Sequence, residues 1–273
     1  MTPLERLVAD ELAIPVDPRV NAMAADIAAK HPGTLAVLFY GSCLRDATLS
    51  GMLDFYVIVE DYGRAYDRRW LATVNRLLPP NVFPFARDDL SAKYAVLSLA
   101  DLRRETSVAA RDPSTFARLA QPLRLVWGSA EPILAAIAEA SRTLLSVTPR
   151  TGDDPWRSAF AATYASELRA ERAARPGSIV DADPERYASL SASFGALPDH
   201  SGQWPRLRRW SKARQLAKLA KASLTFAGGI DYLAWKISRH SGHPVTVTPW
   251  QRRHPLLAAL VMLPRLMARG QVR

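Results

Sequence analysis

Cysteine occurs once in the 273 residues, at Cys43, which excludes an intrachain disulfide and any cysteine-built zinc site and predicts a reducing compartment. Long apolar runs are missing as well. The longest, Leu256 to Leu263, is closed by Pro264 and Arg265, far short of the roughly 20 residues a spanning helix needs. The opening segment carries Glu5, Asp10 and Glu11 rather than a charged-then-apolar leader, and predicts no secretory signal. Histidine is sparse, and His31, His200, His240, His243 and His254 share no ligand spacing on a helix face, so no metal is assigned to them. Hydrophobic residues at 48% and charged residues at 23% exclude a fibrous, low-complexity or polytopic membrane protein.

Acidic residues nearly vanish from one part of the chain. From Ser201 to Arg273 fourteen Lys and Arg stand against Asp231 alone, whereas the other 200 residues hold 22 basic and 25 acidic groups. The net charge of +10 therefore belongs to the C-terminal region. Such a segment meets phosphate in some form, as nucleic acid, anionic lipid or nucleotide, or else presents a solvated basic face. On a helix predicted over Ser211 to Phe226, Arg214, Lys218 and Lys221 share one face, with Leu216, Ala220 and Leu224 forming a separate apolar stripe. Farther on, Trp250 to His254 and Leu256 to Met267 combine a Trp, basic residues and an apolar run. That composition suits either an interfacial segment resting on a membrane or a core helix.

Apolar periodicity and turn residues organise the rest. Val20 to Lys30 reads as a helix stopped by His31-Pro32-Gly33. Leu35 to Tyr40 and Met52 to Val59 are short continuous apolar runs, the mark of buried strands, with Tyr94 to Leu99 a third and Val82 to Phe85 a weaker fourth. Ser98 to Arg111 and Pro132 to Ser146 read as helices, and Arg118 to Trp127 as strand or irregular core because of Pro122. A composition shift near 147–155 suggests a boundary, dividing the chain into 1–150 and a helical, basic 151–273. Beyond it Trp156 to Ala174 is helical in pattern and Pro176 to Pro184 reads as a loop. Strands first and helices afterwards predict an α/β (α+β) fold with a mixed sheet and a helical C-terminal region.

One constellation carries chemistry. A buried strand ending in Gly41-Ser42, a loop of about ten residues, and a second strand bearing Asp54 describe a nucleotidyltransferase core of the DNA polymerase beta-like kind. The small turn lets backbone N–H groups approach the phosphates of a nucleoside triphosphate. Asp54 on the neighbouring strand is placed to hold Mg²⁺ against them, since that ion takes oxygen ligands. The second acid usual on that strand is absent, because Tyr56 stands there; by alternation Asp54, Tyr56, Ile58 and Glu60 face one way.

Longer stretches add a resemblance. Phe39-Tyr-Gly-Ser42 with Met52-Leu-Asp-Phe55 and Val59-Glu-Asp61 resembles the mitochondrial-type phosphatidate cytidylyltransferases, or CDP-diacylglycerol synthases, whose motif also lacks the usual acid pair. Lys93-Tyr-Ala-Val96 with Ser98 is similar to that family's Lys-Tyr-Gly-Val-x-Ser strand, and Arg118-Leu with Pro122 and Arg124 to its Arg-Leu-x-x-Pro-x-Lys segment. Tyr164-Ala-Ser-Glu-Leu-Arg169 is similar to its Tyr-Ser-Gly-Asp-Phe-Arg, with Glu167 at the acid's place, and Arg214-Gln215 with Lys221 to Gly229 to its C-terminal block. The resemblance is block-wise over about 35–170 and again in the tail.

The resemblance implies transfer of CMP from CTP to phosphatidic acid, giving CDP-diacylglycerol and pyrophosphate with Mg²⁺, by a protein resting on the inner face of a membrane. It implies Asp54 and Glu167 as metal ligands and, with Lys93, as the catalytic set. Tyr40, Gly41, Ser42, Arg118, Arg214, Lys218 and Lys221 become the nucleotide and phosphate contacts. Plain structural alternatives stand beside these: Lys93 as a strand-surface lysine, Arg118 as an ion-pair partner, Glu167 as one of several solvated charges. Two other functions stand open, a nucleotidyltransferase with a different acceptor such as an RNA end, and a degenerate nucleotide-binding module. Nucleic acid is not the expected partner, because no basic platform interleaved with aromatics is present.

Overall fold

The computed structural model describes residues 1–167, 175–225 and 248–249. In chain order the elements are α1 (Pro3–Leu12), α2 (Pro18–Ala29), β1 (Thr34–Tyr40), α3 (Ser42–Arg45), β2 (Met52–Val59), α4 (Tyr62–Ala65), α5 (Arg69–Leu77), β3 (Asn81–Arg87) and β4 (Leu90–Ser98). There follow α6 (Leu99–Glu105), α7 (Ser114–Leu119), β5 (Leu123–Gly128), α8 (Leu134–Val147), α9 (Pro155–Ser166), α10 (Arg175–Asp181), α11 (Pro184–Ser193) and α12 (Trp204–Thr225), the last entered through a 3-10 turn at Ser201–Gln203. The strands form one mixed five-stranded sheet in the order β3-β4-β2-β1-β5. β2 and β4 run parallel, and the other neighbours pair antiparallel.

Local chemistry accounts for the helix starts. Thr2 caps α1 in a reciprocal capping box with Glu5, and Pro3 supplies the preset φ of a first helical position. Asp17, Asp154 and Asp183 accept backbone N–H groups at the starts of α2, α9 and α11, each followed by a proline.

The continuous apolar strands are explained by cover on both faces of the sheet. One face presents Leu38, Tyr56, Ile58 and Leu97 to Val8, Phe116, Leu144, Phe160 and Tyr187 from the helices. The other presents Val37, Phe39, Phe55, Val57 and Val96 to Val20, Met23 and Ile27 of α2 and to Tyr62 and Tyr66. Asp54 therefore shares a face with Tyr56 and Ile58, as the alternation predicts. The first cluster also takes in Trp156, Ile179, Tyr187, Trp204 and Leu207 together with Leu4 and Val8, so one apolar core runs across the 148–154 loop.

Several boundaries differ from the sequence reading. The helix expected over Ser98 to Arg111 stops at Glu105, where the Thr106 hydroxyl donates to the Leu102 carbonyl. The third strand begins at Leu90, ahead of Tyr94, because β3 pairs along its whole length. The ambiguous Arg118 to Trp127 divides into the end of α7 and β5, which starts just after Pro122 so that the missing N–H lies outside the strand. The loop expected over Pro176 to Pro184 is instead largely helical, α10, because Ile179 and Val180 bury their side chains in the core. The pattern expected to continue to Ala174 is helical to Ser166, and 168–174 lie outside the described residues. The segments Trp250 to His254 and Leu256 to Met267 also lie outside them. Among the described residues no helix is long and apolar enough to cross a membrane.

Candidate functional site

Three adjacent strands set the first part of the site. Tyr40, the last residue of β1, pairs with Asp54 of β2, and Asp54 stands beside Lys93 of β4. The chain leaves β1 through Gly41 at φ 94°, a left-handed conformation that favours glycine, and enters α3 at Ser42. A Cβ at position 41 would lie 2.7 Å from Asp54 Oδ2 and 3.2 Å from Asp54 Cβ. Only a bare backbone fits against this carboxylate. The other oxygen, Oδ1, lies 3.1 Å from Lys93 Nζ, with the two side chains 16% and 34% accessible. A half-buried carboxylate is thus held between an ammonium and a glycine turn.

Helical residues close the same face. Arg118 of α7 donates from Nη1 to the Ser114 carbonyl at 2.8 Å and from Nη2 to Glu167 Oε2 at 3.3 Å. Glu167 is the C-cap of α9 and is 6% exposed. Burial, the largest single influence, opposes the charge on Arg118, but the Glu167 carboxylate together with Tyr56, Tyr40 and Tyr164 outweighs it and holds the guanidinium above its ordinary value. Between the two ion pairs Tyr40 and Tyr56 stack with ring centroids 4.9 Å apart. Burial pushes both phenols up, so both stay protonated. Tyr56, where the sequence reading expected a second acid, is a buried ring whose electrostatic neighbours are Arg118, Asp112, Glu167 and Asp54.

Asp112 and Ser114 were not picked out from the sequence. Asp112 is 1% exposed and accepts from the Ser114 N–H at 2.9 Å, from the Ser114 hydroxyl, and from Lys218 Nζ at 2.7 Å. Burial alone would raise its pKa, but the Lys218 ammonium and the Ser114 donors outweigh burial and hold it at about 2. The Asp-Pro-Ser run at 112–114 is a helix-start pattern, and so a local signal existed. The partner, 106 residues away, had none.

The basic stripe of α12 is turned partly inward. Lys221 is 6% exposed and donates to the Leu78 carbonyl and, at 2.7 Å, to the Pro80 carbonyl. Burial, helped by the like charge of Lys218, lowers its pKa to about 7. Arg214 is half-buried. The structure therefore brings together Tyr40, Gly41, Ser42, Asp54, Lys93, Arg118 and Glu167, joins Lys218 to them through Asp112, and holds Lys221 on the carbonyls between α5 and β3.

Among the described residues no group of three or more His, Cys, Asp or Glu side chains is arranged to hold a metal. Mg²⁺ asks less of a protein, one or two carboxylates with the remaining positions filled by phosphate oxygens and water. Asp54 offers one such carboxylate, with Oδ1 beside the Lys93 ammonium and Oδ2 turned toward the Gly41 backbone. The site belongs to a mixed α/β protein with paired charges beside a strand-to-helix glycine turn. No protein-family model matches the sequence, and no curated protein matches it.

Proposed function

We propose that the chain is a nucleotidyltransferase with a DNA polymerase beta-like core that transfers CMP from CTP to phosphatidic acid, giving CDP-diacylglycerol and pyrophosphate. The observation that carries this reading is the Gly41 turn packed on Asp54, a bare backbone opposite a carboxylate at the end of a strand. The acceptor phosphate oxygen attacks the α-phosphorus of CTP, and the bond to the pyrophosphate leaving group breaks. Positioning and charge neutralisation supply most of the catalysis in such a transfer. The Gly41-Ser42 backbone admits the phosphates. Lys93 and Arg118 offset their negative charge, Lys218 is joined to them through Asp112, and in this reading Arg214 and Lys221 of the same helix add positive charge for the phosphates. Asp54, with Glu167, would hold Mg²⁺, which supplies Lewis-acid polarisation of the phosphate when bound.

Access to a lipid acceptor calls for residence on an anionic membrane surface, and α12 offers one feature that supports it. Trp210 is 51% exposed, with the Arg209 guanidinium 5.3 Å from its ring centroid and Arg206, Arg208 and Lys212 exposed nearby. Co-sedimentation with anionic but not neutral vesicles, reduced by Trp210→Ala, is the expected result; equal sedimentation with both would remove this part of the reading.

The enzyme reading is tested with purified protein, phosphatidic-acid micelles, Mg²⁺ and each of the four nucleoside triphosphates, reading pyrophosphate release. Release with CTP alone, dependent on lipid and lost in Asp54→Ala, is expected; a folded protein inert with all four refutes it. The buried Tyr56 at the second acid's position favours one other reading, a nucleotide-binding module. Metal-dependent CTP binding without turnover would establish that reading instead.

A further inference from the structure

The charged groups of the site do not end at Arg118 and Glu167. Arg118 donates to the Ser114 carbonyl at 2.8 Å, Ser114 donates twice to Asp112, and Asp112 receives Lys218 Nζ at 2.7 Å. A continuous polar chain thus runs from Glu167 through α7 to the middle of α12. Its members differ in freedom. The Asp112 side chain is 2% accessible and anchored by Ser114 from both backbone and hydroxyl, whereas the Lys218 side chain is 18% accessible. An ammonium has three donors, and Asp112 takes one of them. Lys221, one turn on, is committed to the Leu78 and Pro80 carbonyls, which leaves Lys218 the better placed of the two to meet an incoming anion.

We propose that Asp112 is a positioning residue that holds the Lys218 ammonium beside the Arg118–Glu167 pair, so that Lys218 meets a phosphate group of the ligand with its other two donors. The idea rests on the phosphate-binding reading of the site. A fixed carboxylate removes the rotamer freedom a lysine otherwise loses on binding, which is the gain that preorganisation supplies. It also makes α12 part of the site rather than a neighbour to it.

The test uses the full-length protein, inorganic pyrophosphate as the probe, calorimetry for affinity and melting for the fold. Lys218→Met by itself strands a buried carboxylate and is the variant most exposed to unfolding. The double variant Asp112→Asn with Lys218→Met removes both charges and avoids that problem. Asp112→Asn, whose side-chain carbonyl still accepts from Ser114, is expected to weaken pyrophosphate binding about tenfold. The double variant is expected to bind no more weakly than Lys218→Met, since the two residues act as one unit. Lys218→Arg, which keeps the pair, is expected to stay within about threefold of the wild type. A double variant that melts lower but binds pyrophosphate like the wild type shows a purely structural tie and overturns the proposal. A wild type without pyrophosphate affinity overturns it as well. Pyrophosphate affinity that depends on Asp112 in a protein inert toward CTP and phosphatidic acid upholds the proposal while refuting the proposed reaction.

Discussion

At the scale of single residues, position 41 is the most sharply constrained. A Cβ there meets Asp54 Oδ2 at 2.7 Å, and the backbone sits at φ 94°, so Gly41→Ala is penalised twice. With ψ at −164° this backbone region is essentially confined to glycine and costs of order 1–3 kcal/mol for an L side chain, and the carboxylate must also move. We expect a melting temperature several degrees lower and at least a tenfold loss of pyrophosphate release, both read on one preparation. Lys221 makes a prediction of the opposite kind. Its pKa is about 7 in the folded chain against an ordinary 10.5, so between those values the unfolded chain binds more protons and stability rises with pH. Relative to Lys221→Met, the wild type is expected to gain on the order of 2 kcal/mol between pH 7 and 9 in urea unfolding, at 1.36 kcal/mol per unit. A parallel pH dependence in both proteins would show that Lys221 keeps its ordinary pKa. Asp54 and Gly41-Ser42 were legible in the sequence because a small turn and a strand acid are local features. The Arg118–Glu167 pair was not legible as a pair, since its members sit 49 residues apart.

At the scale of elements, buried polar groups tie helices to the sheet. Glu11 at the end of α1 accepts the Leu123 N–H of β5 at 2.7 Å and Arg186 Nε of α11 at 2.5 Å, while Arg186 also donates to the Ala120 carbonyl at 3.0 Å. Glu11→Ala leaves a largely buried guanidinium without its carboxylate, holding only the Ala120 carbonyl, and a strand N–H unpartnered. A loss of about 3 kcal/mol or more is expected in denaturant unfolding; a loss under 1 kcal/mol would mean water replaces the carboxylate. The strands β1, β2 and the second half of β4 were legible as apolar runs, β3 only weakly and β5 not apart from irregular core, while α2, α8 and most of α12 were legible from their helical patterns. The helix α10 was not, because Pro176 and Gly177 are loop residues by local preference, overridden by the burial of Ile179 and Val180. The inward face of α12 was also hidden. Charge alone places Lys218 and Lys221 toward solvent, and a buried carboxylate and two carbonyls turn them in.

At the scale of the whole molecule, the apolar core decides what folds together. Trp156, Phe160, Tyr187 and Trp204 pack in the same cluster as Leu4, Val8 and Leu144, and Glu11 takes its guanidinium partner from α11. A fragment ending at residue 150 is therefore expected to lack a cooperative urea transition by circular dichroism. A sharp transition near that of the full chain would instead mark 1–150 as a self-sufficient domain.

The sequence by itself determined the class of fold, the two central strands, the glycine turn with its facing carboxylate, and the placement of positive charge in the C-terminal region. These are properties of composition, of period-two and period-3.6 patterning and of short spacing, which a linear chain carries openly. Only the tertiary structure decided which charges meet: Lys93 on Asp54, Arg118 on Glu167, Lys218 on Asp112 and Arg186 on Glu11. Such pairs form where packing of the apolar faces brings distant segments together and removes water between them. A buried charge must then find a partner or stay neutral, and which partner it finds depends on the packed fold.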